Sequence, residues 1–172
     1  LAHDVMERDD DVDRLWYMVS RVFRTVLRNP TAANEIGFAR ETCFDYQSSA
    51  RQLERIADHA TKIADLALEL GEIPDSAVEP LRNLHEEAAT VPDTAMDALL
   101  ADDSEKAVEL ASQARQHIET VDEMVRTVDQ EIHEYEPQVA QILGLVIDSL
   151  SRTADYGTNI AESALQKSAP RP

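Results

Sequence analysis

Cysteine is almost missing from this chain: Cys43 is the only one in 172 residues. That excludes an intrachain disulfide and a cysteine-built metal knuckle, and leaves Cys43 as a small core filler. Glycine is nearly as scarce, at four residues, and aromatic side chains make up 5% of the chain. Barrels and sandwiches need turn glycines and β-forming side chains, so both are disfavoured. No apolar run approaches the ~20 residues that cross a bilayer. The opening, Leu1-Ala-His-Asp-Val-Met-Glu-Arg8, is charged where a signal peptide is apolar. The expectation is a cytoplasmic protein without membrane insertion. Lysine is the last shortage: Lys62, Lys106 and Lys167 stand among 16 basic residues, against 34 acidic ones, for a formal net charge of −18. Such a charge repels phosphate backbones and anionic lipid, so direct nucleic-acid binding by this segment is not expected. Acid excess with little lysine suits a halophilic cytoplasm, where salt screens the repulsion.

Helix formers are what the chain has in quantity: Ala, Leu, Glu and Arg dominate. Val12, Leu15, Trp16, Val19, Val22, Phe23 and Val26 recur at spacings of three and four, one helical stripe ended by Asn29-Pro30. A second helix is expected over about 34–70, with Leu53, Ile56, Ala57, Ala60, Ile63, Ala64 and Ala67 as its stripe and Gly71 as its cap. Ser76 and Glu79 have the spacing of a capping box for a third helix, which Pro92 is expected to kink or split. Asp102-Asp103-Ser104 caps a fourth helix, whose stripe includes Ile118, Val121, Val125, Val128 and Ile132, and Pro137 opens a fifth, which runs to about Gln166. Long helices joined by short turns pack antiparallel, so the fold class is all-α, an antiparallel helical bundle.

A thirteen-residue segment occurs twice. Leu53-Glu-Arg-Ile-Ala-Asp-His-Ala-Thr-Lys-Ile-Ala-Asp65 aligns with Leu150-Ser-Arg-Thr-Ala-Asp-Tyr-Gly-Thr-Asn-Ile-Ala-Glu162, with Leu, Arg, Ala, Asp, Thr, Ile and Ala identical in register. A Val-Asp pair lies upstream of each, Val12-Asp13 and Val121-Asp122. Two equivalent halves are the simplest account.

The repeated segment resembles the signature helix of the PhoU family of phosphate-uptake regulators, and the resemblance covers nearly the whole chain. It implies two three-helix repeats in one bundle: 1–71 as the first, lacking its first helix, 72–167 as the second, and 168–172 as a frayed tail. An uncovered apolar groove and homo-oligomerisation are expected where that helix is lacking. The acidic run Glu7-Arg-Asp-Asp-Asp-Val-Asp-Arg-Leu-Trp-Tyr17 resembles the archaeal, haloarchaeal branch, where the PhoU region often follows an AbrB-like DNA-binding domain. The implied function is regulation through a phosphate ABC transporter or a phosphate-sensing kinase, not catalysis.

Glu54 and Asp58 are four apart and share one face of their helix, as do Asp9 and Asp13. At 100° per residue, Glu54, Asp58 and Lys62 fall away from the apolar stripe, so the acids are expected on an outer flank. Four converging carboxylates suit a divalent or iron-type metal ion such as iron, manganese or magnesium, and the resemblance implies metal binding at these motifs. In the second half Ile118 and Ser151 replace the first acid of each pair and leave only Asp122 and Asp155. His59 follows Asp58 and is a further ligand candidate. The absence of Glu-x-x-His tells against a ferritin-type oxidase, and no phosphate loop or activated nucleophile is present. Two other readings stay open: a carboxylate-bridged metal-binding or metal-storage bundle, and the dimerisation module of a transcription regulator.

Overall fold

The structure is a computed structural model and describes residues 1–169; residues 170–172 of the expected tail lie outside the described residues. Six helices follow in order: α1 (Ala2–Arg28), α2 (Pro30–Ile36), α3 (Arg40–Leu70), α4 (Asp75–Leu100), α5 (Ser104–Ile132) and α6 (Pro137–Ser168). No strand occurs among the described residues.

Several boundaries obey the local chemistry of the sequence. Asn29 ends α1, and its side chain accepts from the Thr31 N–H at 3.0 Å to cap α2. Asp103 does the same for α5, accepting from the Lys106 N–H at 2.8 Å. Three expectations are corrected. The helix expected over 34–70 is broken at Gly37, whose φ of +82° places it in the left-handed region, so a seven-residue α2 precedes α3. Ser76 forms no capping box; its hydroxyl meets the Tyr135 hydroxyl at 2.7 Å and ties α4 to the turn before α6. Pro92 does not split α4, which runs unbroken through Pro80 and Pro92. Pro92 is buried against Gly157 of α6, so packing holds the helix together where the proline removes a backbone donor.

The second half is a closed unit. Helix α4 packs on both α5 and α6, and α5 packs on α6. Its aliphatic core includes Leu84, Val91, Leu99, Val121, Leu143 and Ile160, each almost fully buried. In the first half α1 packs on α3, and α3 packs in turn on α6. Gln52 meets Asn159 at 3.2 Å and Lys62 meets Asp148 at 3.5 Å, so α3 and α6 run antiparallel. His59 and Tyr156 occupy equivalent places in the repeated segment and meet across this seam, ring centroids 5.7 Å apart. The repeat is therefore a pseudo-two-fold whose axis passes close to that pair.

Burial breaks the symmetry. In α6, Ala154, Gly157, Ala161 and Ala164 are all buried beside α4; of their counterparts in α3, Ala60 and Ala67 are exposed and Ala57 is half-buried. Likewise Val121, Val128 and Ile132 of α5 are buried, while Val12, Val19 and Phe23 of α1 are half-exposed. Among the described residues no helix covers the first half as α4 covers the second. The stripe expected to be core, Ile56, Ala60 and Ile63, instead faces an apolar groove of about 470 Å³, shared with Val5, Ala89 and Leu150.

Candidate functional site

Helix α1 lies along the face of α3 that periodicity assigns to solvent. The outer-flank expectation is corrected for Glu54, which is 8% exposed, while Asp58 remains exposed and Asp9 and Asp13 are half-buried. The stripe calculation located the most apolar face of α3, and that face looks into the groove, so α1 took the acidic one. Lys62 belongs to a different side, where it pairs with Asp148 of α6 at 3.5 Å.

One oxygen of Glu54, Oε1, accepts from Arg51 at 2.6 Å, while Oε2 is buried without a hydrogen-bond partner. The Arg51 guanidinium lies 5.3 Å from the centroid of the Trp16 ring, so this cation bridges α3 to α1. Burial pushes the Glu54 carboxyl above its ordinary range, Asp58 adds to the rise, Arg51 opposes it, and Asp13 adds again. Asp58 is raised too, first by burial and then by Asp9 and Asp13. Across the α1–α3 interface Asp13 therefore acts on both Glu54 and Asp58, and Asp9 acts on Asp58. No three His, Cys, Asp or Glu side chains among the described residues stand close enough to form a metal cage. What the residues present is a facing set of carboxylates with one orphaned buried oxygen, not an assembled coordination shell.

The second half has no such set. Asp122 is exposed on α5, and Asp155 pairs with Arg152 at 3.2 Å. His59 turns to α6, its ring against Tyr156 and its Nδ1 buried without a partner. Burial lowers its pKa first, and Lys62 lowers it further. Sequence reasoning missed Arg51 and Trp16. The i, i+3 spacing of Arg51 and Glu54 was a usable signal; nothing in the sequence marks Trp16 as the guanidinium's neighbour.

Comparison with known proteins follows this architecture. The PhoU domain model matches residues 1–67 and 81–164, both halves of the chain. A relative from Pseudomonas aeruginosa, the phosphate-specific transport system accessory protein PhoU homolog, is 29% identical over 94% of this chain and 67% of its own length. The homolog of the same description from Pseudomonas putida is 28% identical over 94% of this chain and 64% of its own length. The chain thus spans about two thirds of these relatives. The crystal structure of the phosphate transport system regulatory protein PhoU from Streptococcus pneumoniae superposes with a TM-score of 0.70 at 21% identity, covering 95% of this chain and 77% of that one. That likeness concerns the fold alone. With the family model matched across both repeats, this chain belongs to the PhoU domain family.

Proposed function

We propose that this chain is a PhoU-type regulator of phosphate uptake, acting in the cytoplasm by contact with a phosphate ABC transporter or a phosphate-sensing kinase, not by catalytic turnover. The observation that carries this reading is the family match across both repeats, together with relatives named as accessory proteins of a phosphate transport system. No helix among the described residues is long and apolar enough to cross a membrane, which supports a peripheral role. The acid excess and three lysines support placement in the haloarchaeal branch. Tagged protein used as bait at molar KCl is expected to retain the transporter's ATPase subunit or a phosphate-linked kinase from its native cytoplasm. Recovery of neither, in a preparation where both are detectable, overturns the reading.

The proposal extends to a divalent or iron-type cation held by Asp9, Asp13, Glu54 and Asp58. Support comes from the unpartnered Glu54 Oε2 and the mutual repulsion of these carboxylates. A bound cation would supply positive charge on the side of Glu54 Oε2, which Arg51 leaves unpartnered. The sign of the linkage is testable. Because folding raises these two pKa values, the folded state holds protons more tightly, and stability falls as pH rises through the raised values. Without metal at neutral pH, Glu54→Gln should therefore melt higher than wild type. The difference should vanish in acid, where both forms are neutral. Added manganese or ferrous iron should raise the wild-type melting temperature and leave Glu54→Gln, Asp58→Asn unmoved. Equal shifts in both proteins would reject the site.

A further inference from the structure

One side of α1 departs from the charge of the rest of the chain. Arg14, Tyr17, Arg21, Arg24 and Arg28 recur at spacings of three, four, three and four. At 100° per residue all five fall within an arc of about 80°, in a line roughly 21 Å long. Every one of them is exposed, Tyr17 by 62%. Arg14 pairs with Asp11 at 3.0 Å, whereas Arg21, Arg24 and Arg28 form no ion pair within the described residues. No acid occurs from Arg14 to Asn34. The result is a local positive field on a chain whose net charge is −18. Asp9 and Asp13 fall outside this arc, on the side of α1 that acts on α3.

We propose that this arginine stripe is the docking surface for an acidic helix of a partner protein, whose carboxylates recur at the same spacings. The guanidinium fork holds a carboxylate through two parallel hydrogen bonds. Cations three and four residues apart rise by roughly 4.5–6 Å, which is also the interval between Glu or Asp side chains at i, i+3 and i+4 of a second helix. The length of the stripe selects a short partner. Glu7 and Asp10 continue its line before Arg14, both exposed, and Glu35 follows it in the chain. A nucleic-acid duplex or a bilayer reaches well past 21 Å and would meet these acids. A helical segment of about four turns stops short of them. Tyr17 on the stripe and Met18 beside it are each more than half exposed, and they offer apolar contact that a chain of phosphates would leave unused. The net charge does not forbid the contact. At 0.1 M salt the screening length is about 10 Å, so a segment on the stripe responds first to the arginines opposite it.

The stripe lends the protein-contact reading a surface and rests on that reading for its purpose, but the test uses no native partner, so either can fail alone. The probe is a stapled, alanine-rich helical peptide of about five turns, with glutamates at spacings of three and four. By fluorescence anisotropy at ~0.1 M KCl the wild type should bind it. Arg21→Glu, Arg24→Glu, Arg28→Glu should bind it about tenfold or more weakly, through loss of several exposed pairs at once. Arg82→Glu, Arg115→Glu, Arg126→Glu makes the same change of net charge at exposed positions elsewhere and should bind nearly as well as wild type. A peptide of the same composition with its glutamates spread around the helix should bind more weakly. Equal losses in the two variants, equal binding of the two peptides, or no binding by wild type overturns the proposal. Polyphosphate or phosphatidylglycerol vesicles held more tightly than the peptide, and released by the stripe substitutions, would assign the surface to phosphate groups and overturn it too. So would a wild type that sediments as a dimer while the stripe variant is monomeric, because a second copy then fills the surface. A further measurement does not depend on how the variants fold. A benzophenone at the centre of the peptide should crosslink to the wild type within residues 14–28. Crosslinks confined to other helices reject the site.

Discussion

Gly157→Ala is expected to destabilise the protein by about 2 kcal/mol or more, lowering the melting temperature by roughly 4–8 °C. A methyl at this position would lie 2.6 Å from the Pro92 nitrogen and 2.9 Å from both its Cα and Cδ. Those atoms belong to a helix backbone and a closed ring, so they cannot swing aside as a flexible side chain would, and α4 and α6 must separate. Alanine is worth up to ~1 kcal/mol over glycine in a helix, which is too little to offset the overlap. Gly144→Ala is the internal control. A methyl there reaches only the Ile132 Cδ1, at an ordinary 3.6 Å, so propensity wins and the variant should melt slightly above wild type. Circular dichroism melts of both variants check the pair. An unchanged Gly157→Ala melt would mean that α4 does not approach α6 as closely as described.

The second large effect concerns salt. With a net charge of −18 on 172 residues, low ionic strength leaves the surface carboxylates repelling one another over a screening length of about 30 Å at 0.01 M, against ~3 Å at 1 M. Compactness concentrates that repulsion, so the folded state loses more than the unfolded chain. Raising KCl from 0.01 M to above 1 M is expected to stabilise the fold by a few kcal/mol, or roughly 10 °C. A melting temperature constant across that range would remove the halophilic reading. Exposed single pairs such as Arg82–Glu79 would lose strength over the same range, but each contributes too little to reverse the trend.

Fold class and the repeat were legible in the sequence because both rest on periodicity. Val121, Val128 and Ile132 are buried where their spacing puts them. Asn29, Gly71, Asp103 and Pro137 mark real helix ends. The orientation of α3 was not legible. Its apolar stripe correctly located the greasiest face, but which neighbour takes which face depends on the whole bundle, and here the acidic face went to α1. Hence Glu54, read as peripheral, is buried beside Arg51. The four acids were found through their i, i+4 spacing; that those of α1 act on those of α3 required the α1–α3 packing. That α4 would not be split at Pro92 was hidden for the same reason, since a proline's local cost is visible in the sequence and its partner Gly157, sixty-five positions on, is not.

The meeting of His59 with Tyr156 across the seam has a consequence for how such a chain can change over evolutionary time. At a true two-fold the residue on the axis faces itself, and every substitution is made twice. Once the two copies of a helix pair are joined in one polypeptide, that constraint lapses, and each copy is free to specialise. The later copy carries Ile118, Ser151 and Gly157 at places where the earlier one carries Asp9, Glu54 and Ala60. Its side chains favour cohesion, and those of the earlier copy favour charge and access. A division of labour has been written into a duplicated scaffold, and the mismatched ring pair at its centre is the visible mark of the divergence.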